Sequence, residues 1–340
     1  MATLLLCTRA QRARLILAGI MAALIATAGN AFGQEVAAKS PWGPNDEIGR
    51  LNMMTDASRL AALSRISSGK VYDLGVEYFL GMPSWQAIGD PRYQLYMTHT
   101  PRGVTVDNPF GFPTDEMNKL VSYTGDAMCL YTHTGTHADA LNHFGLHGKI
   151  WNGFEADEHL GDRGWHKAGM ETVPPIIGRG VLIDVAGAKG MDMLPDSYAI
   201  SPAELRQVLS KQGTRLSKGD IVLIRTGRMT VFESDPEKFK APHPGITLEA
   251  ARWLIDDMDA MTIGADNLTL EVIPAAGSDA KSYIPVHTFL FAQRGALILE
   301  VVDLEELARD KVYEFVFIGA PIKLRGASGS PLRPVAIPIR

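Results

Sequence analysis

Short apolar segments alternate with segments that carry helix-capping residues through the second half of the chain. Four segments are typical of buried strands, at residues 180–185, 220–225, 261–265 and 296–302. Ser201 and Glu204 form a capping box with Pro202 at the first helical position, and Gly213 ends that helix. The pattern of residues 247–258 predicts another helix. This alternation indicates an α/β fold with a mixed, largely buried sheet, and no composition shift divides the chain into several domains.

Three histidines and one aspartate lie within eleven residues: His133, His137, Asp139 and His143. The whole chain contains nine histidines, so this clustering is unlike their scatter elsewhere. Histidine and aspartate hold borderline divalent ions while leaving coordination positions open for water and substrate. The alternative is a set of structural histidines that form hydrogen bonds in a polar strand. We favour His133, His137 and Asp139 as metal ligands.

The spacing of His133 and His137 restricts the local geometry. Four residues of extended strand span roughly 13 Å, too far for two nitrogens that each lie about 2 Å from one ion. A helix is disfavoured by the two threonines and the glycine between them. We therefore expect the chain to bend at Gly135. Thr134 occupies the place of the glutamate in the zinc-protease pattern His-Glu-x-x-His, so that pattern is absent.

The segment from His133 to Phe144 resembles the signature of the metal-dependent cyclase-like hydrolases, which include bacterial kynurenine formamidase and isatin hydrolase. Further segments resemble that family at residues 219–227, 244–253, 287–291 and around Glu300. The resemblance implies a single domain of swivelling β/β/α architecture with a mixed sheet, over residues 70–340. Residues 34–69 are then an N-terminal arm and helix, and residues 42–52 resemble the lead-in of longer family members.

Glu300 interrupts an apolar run and is therefore expected to be buried. An ionised carboxylate in that position is costly unless a cation compensates its charge. The alternative is a strand-end glutamate paired with Arg294. The family resemblance implies that His287 and Glu300 form a second metal pair, with Asp139 bridging. The predicted cofactor is Zn²⁺ or Mn²⁺, as one ion or two, because these ligands suit both metals.

His143 lies four residues beyond Asp139 and can reach the same site. An imidazole with a pKa near 6.5 can move protons at neutral pH, so we predict His143 to be the catalytic acid/base. The alternatives are a further ligand or a residue that orients one. Phe144 and Trp85 are candidates for an aromatic wall that contacts substrate, although aromatic residues in loops are more often packing residues.

The N-terminus has the pattern of a secretion signal over residues 1–33. Three arginines precede an apolar run at residues 15–28, and small residues follow at 31–33. The run is short for a membrane span, although a retained anchor is the alternative. We expect a periplasmic or secreted protein without stable membrane insertion after cleavage.

Removing residues 1–33 takes away three arginines and no acids, so the net charge becomes −5 − 3 = −8. An acidic chain without basic runs lacks the positively charged patch that nucleic-acid binding requires. Cys129 is then the one thiol left, which rules out an internal disulfide. Stability must come from the core and from subunit contacts, and we expect a homo-oligomer.

The sequence contains no Gly-x-Ser-x-Gly elbow, phosphate loop or dinucleotide fingerprint. The preferred function is a metal-dependent hydrolase that cleaves an amide-type C–N bond of a small molecule: a cyclic amide or imide, a lactam, an isatin-like compound or an N-formyl aryl amine. One alternative is a lactone-opening or ring-closing cyclase with the same metal site. Another is a non-catalytic periplasmic protein that binds a metal or a metabolite.

Overall fold

A nine-stranded mixed sheet forms the centre of the computed structural model, which describes residues 35–85, 89–275 and 282–340. The strands are β1 (Tyr72–Asp73), β2 (Gln94–His99), β3 (Gly125–Cys129), β4 (His137–Asp139), β5 (Leu160–Gly161), β6 (Gly164–Trp165), β7 (Ile176–Asp184), β8 (Ala199–Ile200), β9 (Ile221–Arg225), β10 (Gly245–Ile246), β11 (Thr262–Ala265), β12 (Ile298–Glu300), β13 (Glu314–Gly319), β14 (Gly329–Pro331) and β15 (Val335–Pro338). The α-helices are α1 (Asp56–Leu63), α2 (Pro101–Asp107), α3 (Asp115–Leu120), α4 (Ala156–His159), α5 (Val185–Ala188), α6 (Pro202–Gln212), α7 (Pro236–Lys240), α8 (Leu248–Arg252), α9 (Pro285–Thr288) and α10 (Glu305–Arg309).

The order of strands in the main sheet is β1-β15-β13-β7-β9-β11-β12-β4-β14. Strands β7, β9, β11 and β12 are parallel to one another, whereas both flanks are antiparallel. The parallel strands carry continuous apolar runs because side chains on both faces are buried. Residues 181–183 and 221–224, for example, are all buried. The predicted α/β class and mixed sheet are confirmed.

Helices α6 and α8 begin at residues that are typical of helix caps. Helix α6 has the predicted capping box, and Gly213 ends it with a φ of +70°. Helix α8 begins after Thr247 and continues as a π-helical turn, Trp253–Asp257. Gly69 is a helix-ending residue in the sequence and predicts that α1 extends to it, but α1 ends at Leu63 because the chain then pairs with the C-terminal segment. There the amide of Ser67 donates to the carbonyl of Pro338 at 3.1 Å.

Residues 84–128 show little apolar periodicity, which predicts surface loops, and this prediction is wrong for much of the range. Strands β2 and β3 form a hairpin, with α2 and α3 between them. Helices of six or seven residues are too short to show a periodic apolar pattern, and a ribbon exposed on both faces shows no alternation. The predicted signal sequence lies outside the described residues. Within the described ranges, no helix is long and apolar enough to cross a membrane.

Candidate metal centre

Strand β4 lies between β12 and β14, and its pairing with β12 brings three of the five candidate ligands together. His137 and Asp139 are alternate residues of β4, so both side chains are on one face. His137 is directly opposite Glu300 of β12. Residues directly opposite in a sheet project on the same side. His137, Asp139 and Glu300 therefore converge, although more than 160 residues of chain separate Glu300 from the two β4 residues.

The chain bends at Gly135, as the histidine spacing requires. Gly135 has a φ of +64°, and a Cβ there would lie 2.7 Å from Cζ of Tyr78. The Tyr78 hydroxyl donates a hydrogen bond to the carbonyl of Thr134 at 2.6 Å and holds the bend. This turn brings His133 back to β4, where its Nδ1 is 2.5 Å from Oδ1 of Asp139.

His287 enters the site from the short helix α9, which begins at Pro285. Glu271 fixes this helix, because its carboxylate accepts hydrogen bonds from the amides of Val286 and His287 at 3.1 and 3.0 Å. The same carboxylate accepts from Nδ1 of His287 at 2.7 Å. The other ring nitrogen, Nε2, therefore faces the centre, 3.3 Å from Oε1 of Glu300.

His137 and His133 are each fixed by a hydrogen bond at one ring nitrogen, so that the other nitrogen faces the centre. Nδ1 of His137 donates to the carbonyl of Gly135 at 2.7 Å, which leaves Nε2 3.3 Å from Oδ1 of Asp139. His133 is turned round: Nε2 lies 2.9 Å from Oγ of Ser328, and Nδ1 faces the centre. The donor atoms form two overlapping groups, each within 4.8 Å: His133, His137 and Asp139; and Asp139, His287 and Glu300.

Three polar atoms in this buried cluster have no hydrogen-bond partner: Nε2 of His137, Oδ2 of Asp139 and Oε1 of Glu300. Unpaired charged and polar atoms are costly in a protein interior, and ligation of a cation would satisfy all three. Imidazole and carboxylate donors suit zinc and manganese alike. The residues therefore fit a divalent-metal site, with Asp139 shared between two donor groups.

The electrostatics of the centre favour a positive charge. Burial alone would lower the pKa of His137, but the carboxylates of Asp139 and Glu300 outweigh it and raise the pKa to about 10. Burial is likewise outweighed at His287, where Glu271 and Glu300 raise the pKa to about 10. Burial would raise the pKa of Asp139, yet the surrounding histidines hold it well below 3.8. Asp139 therefore remains ionised and attracts a proton or a metal cation.

His143 lies beside these donors without joining either group. Its ring stacks on His133, with centroids 3.9 Å apart and planes inclined by 21°, and it is 6.4 Å from the ring of His287. Burial and the neighbouring His133 lower the pKa of His143 well below 6.5. A ring that is neutral at pH 7 can accept a proton.

The two aromatic candidates lie in different places. The ring of Phe144 is 4.6 Å from His143 and 5.1 Å from His287, so it forms one side of the centre. Trp85 instead packs against a separate apolar cluster that includes Met229 and Phe232. Among the described contacts, none joins Trp85 to the five candidate ligands.

Four further residues shape the site and are absent from the sequence-based prediction. Glu271 is buried between apolar neighbours, the same signal that marks Glu300. Ser328 contacts His133, and a Cβ on Gly329 would lie 2.5 Å from Cε1 of the His133 ring. Burial first, and then the charges of nearby acids, raise the pKa of Tyr131, so its phenol stays protonated. Ser328, Gly329 and Tyr131 carry no sequence signal of this role.

The sheet and its buried histidine–carboxylate cluster define an α/β protein with a divalent-metal centre between sheet strands. The profile of the cyclase family matches residues 72–272, and the chain belongs to that family. A crystal structure described as a novel cyclase is 30% identical, covers 89% of this chain and 100% of its own, and has a TM-score of 0.77. The predicted family and fold are thereby confirmed.

More distant relatives are found by sequence and by structure. Cyclase-like protein 3 of Oryza sativa subsp. japonica is 24% identical over 269 residues, which is 79% of this chain and 80% of that protein. Isatin hydrolase A from Ralstonia solanacearum is 22% identical, with coverage of 83% and 97% and a TM-score of 0.59. An isatin hydrolase bound to the product analogue thioisatinate is 18% identical, with coverage of 84% and 100% and a TM-score of 0.57.

Proposed function

We propose that this protein is a metal-dependent hydrolase that cleaves an amide-type C–N bond in a small molecule. The observation that carries the proposal is a neutral His143 stacked on His133, which belongs to a buried set of metal donors with unpaired atoms. The substrate classes that we propose are cyclic amides and imides, lactams, isatin-like compounds and N-formyl aryl amines. The fold shared with isatin hydrolases supports this choice.

His133, His137 and Asp139 would hold one divalent ion, and Asp139, His287 and Glu300 would hold a second. A divalent ion in such a site would lower the pKa of water towards about 7 and would polarise a carbonyl. His143 accepts a proton from the water whose oxygen bonds to the carbonyl carbon. It then returns that proton to the nitrogen that departs as the C–N bond breaks. The chain thus supplies both the ion's ligands and the group that moves the proton.

Two aromatic residues and a phenol complete the proposed reaction chamber. Phe144 and Phe291 stack at a centroid distance of 6.5 Å beside His143 and His287, and they keep bulk water from one side. The protonated Tyr131 lies against His133, with ring centroids 4.9 Å apart. Its hydroxyl can donate a hydrogen bond to an oxygen that gains negative charge.

We also propose that the enzyme is periplasmic or secreted and that its metal is Zn²⁺ or Mn²⁺. The pattern of residues 1–33 supports a periplasmic or secreted enzyme, with the apolar run removed at cleavage. The donor chemistry supports Zn²⁺ or Mn²⁺. The net negative charge and the absence of basic runs in the sequence support a small-molecule substrate over nucleic acid.

A ring-closing or lactone-opening reaction is the second candidate, favoured by the cyclase relative at 30% identity. It would use the same ligands and the same proton shuttle, so metal content does not distinguish the two reactions. The products do. Hydrolysis of an amide yields a carboxylate and an amine, which stay in one molecule if the amide is cyclic. Opening of a lactone yields a carboxylate and an alcohol, and ring closure yields one cyclic product and releases water or another leaving group.

The test begins with chelator-treated protein that is reloaded with Zn²⁺ or with Mn²⁺. Each sample is incubated with formyl-anilides, cyclic imides, lactams, isatin and lactones, and the products are identified by mass spectrometry. We expect carboxylate products from at least one C–N class, restored by metal and formed far more slowly by His143→Ala. Turnover of lactones alone would overturn the C–N assignment, and full metal binding without turnover of any class would favour a binding protein.

A further inference from the structure

The chain segments on the two sides of the β2–β3 hairpin approach the metal centre together. Gln94 and Cys129 form the pair farthest from the connection between the strands. The segments that continue from this pair, residues 90–93 and 130–133, therefore leave the hairpin from the same end. The second segment ends at a candidate metal ligand, and the first begins at Asp90.

Aromatic packing holds the first segment against the bend of the centre. The ring of Tyr93 is edge-on to that of Tyr78, with centroids 5.6 Å apart. The hydroxyl of Tyr78 in turn donates to the carbonyl of Thr134 at 2.6 Å. Asp90 lies three residues before Tyr93 and is therefore anchored near the ligands, although it belongs to neither metal donor group.

Asp90 and Tyr131 are close enough to interact electrostatically. Burial first, and then the charge of Asp90, raise the pKa of the Tyr131 phenol, and Asp90 does so more strongly than Asp139 of the centre. The ring of Tyr131 is 4.9 Å from that of His133, measured between centroids. The carboxyl group and the phenol therefore lie side by side next to the first donor group.

One carboxyl oxygen of Asp90 has no partner. Its Oδ2 is shielded from solvent and accepts no hydrogen bond, although the residue as a whole is half-buried. A shielded acceptor that is left unpaired costs free energy, because it has lost its hydrogen bonds to water. Ions bound in the two donor groups would leave this oxygen unpaired, since Asp90 belongs to neither. A hydrogen-bond donor on the substrate would pair it.

An acceptor beside a donor matches one edge of a cyclic amide. The ring holds the amide bond cis, which places the N–H and the carbonyl oxygen on the same edge. Open-chain secondary amides strongly prefer the trans form, in which these two groups point in opposite directions. Asp90 supplies the acceptor for the N–H, and the Tyr131 hydroxyl supplies the donor for the carbonyl oxygen.

We propose that Asp90 is a specificity-determining residue that accepts a hydrogen bond from the ring N–H of a cyclic amide or imide, while Tyr131 donates to the carbonyl oxygen of the same ring. This inference rests on the proposed C–N hydrolysis and narrows its substrates to rings that keep an N–H. The water oxygen ends in the new carboxylate. The departing nitrogen receives its second proton from His143 and leaves as an NH₂ group that Asp90 still holds.

Paired substrates that differ only at the ring nitrogen test this role. Succinimide, δ-valerolactam and isatin are each compared with their N-methyl derivatives, which lack the donor. In Asp90→Ala, we expect kcat/KM on the N–H compounds to fall about 10–100-fold, as for a lost hydrogen bond to a charged group. The N-methyl compounds should lose nothing. Elemental analysis should find the metal content unchanged, because Asp90 is outside the donor groups.

The matched control is Asp126→Ala, which makes the same change of charge at an exposed position of β3 and should leave every kcat/KM unchanged. Asp90→Asn keeps a neutral acceptor and should lose less than Asp90→Ala on the N–H compounds. If Asp90→Ala does not fold, Asp90→Asn carries the test, with a loss confined to those compounds.

Two results overturn the role of Asp90 and leave the proposed hydrolysis standing. One is an equal loss on the N–H and N-methyl compounds, which would make Asp90 a structural residue. The other is an unchanged kcat/KM on the N–H compounds with faster turnover of the N-methyl ones, which would show exclusion by size alone. If the unmodified, metal-loaded enzyme opens none of these rings and cleaves only open-chain amides, the restriction to cyclic amides is wrong. If it cleaves no amide at all, the proposed hydrolysis is also wrong.

Discussion

The imidazole of His143 lies nearly parallel to that of His133, with ring centroids 3.9 Å apart and an inclination of 21°. His133 presents Nδ1 to the metal donors, whereas His143 belongs to neither donor group. The stacking holds His143 against His133 without adding it to either donor group. In the proposed mechanism, metal binding and proton transfer therefore belong to different residues, so substitution can separate the two.

His143→Ala should keep its metal and lose turnover. A positioned acid/base contributes typically 10²–10⁴-fold, so we expect kcat on amide or imide substrates to fall by about that factor. Activated esters should be affected less, because a good leaving group needs little protonation as it departs. Kinetics on both substrate types, together with elemental analysis, measure this. Equal losses on the two types, or loss of metal, would contradict the proton-shuttle role.

Glu300→Gln should lower the metal content by about one ion per chain while the fold survives. Glutamine nearly preserves the shape of Glu300 but removes one of the negative charges that favour a second cation. Elemental analysis and thermal denaturation measure the two effects. The control is Glu249→Gln, which neutralises an exposed acid. If stoichiometry and activity are unchanged in Glu300→Gln, Glu300 is a structural acid and the second donor group holds no ion.

Glu271→Gln should weaken metal binding although Glu271 is not a ligand. Its carboxylate holds Nδ1 of His287 and two amides of α9, and loss of such a partner typically costs 10–100-fold in metal affinity. Titration against a competing chelator gives the dissociation constant. Glu271→Ala should have the larger effect, because it also removes the acceptor for the helix amides. If the metal affinity of both variants equals that of the unmodified protein, α9 positions His287 without the Glu271 carboxylate.

The pH dependence of stability should contain a contribution from His243. Burial lowers the pKa of His243 from 6.5 to about 4, and its Nε2 is 2.6 Å from Oγ1 of Thr269. Between these values the unfolded chain binds more protons than the folded chain. The neutral ring's contribution is therefore complete above pH 6.5 and is lost as the pH falls through 4, by about 3 kcal/mol.

Denaturant unfolding of metal-free protein at pH 6.5 and pH 4 measures this contribution. In His243→Gln, which has no group that titrates there, the free energy of unfolding should fall by about 3 kcal/mol less over the same interval. Metal-free samples are required, because acid also protonates the metal ligands. An identical pH dependence in the two proteins would show that His243 is not held neutral.

The sequence predicts the first donor group better than the rest of the centre. The spacing of His133 and His137 is enough to require a bend at Gly135, and an acid within an apolar run is enough to mark Glu300. The pairing of β4 with β12 cannot be predicted in this way, because a three-residue strand has no periodicity and its partner is distant in the chain. Residues such as Ser328 act through tertiary contacts that leave no local pattern.

The segment of residues 94–129 shows a different limit of sequence reasoning. Its short helices and its hairpin lack the one-sided apolar pattern of elements that pack on a core of their own chain. Such a segment is easily interpreted as loop, and residues 84–128 illustrate this. Its apolar residues become informative only when their exposure is known.

Anomalous X-ray diffraction from crystals soaked in Mn²⁺ tests the central claim most directly, because it locates the ion without a substrate. We expect an anomalous peak bounded by Nδ1 of His133, Nε2 of His137 and the carboxylate of Asp139. A second peak is expected between Asp139, His287 and Glu300, and His137→Ala crystals should lose the first peak. Saturating Mn²⁺ without a peak among these donors, or with peaks only elsewhere on the protein, would contradict the metal centre and the hydrolase mechanism built on it.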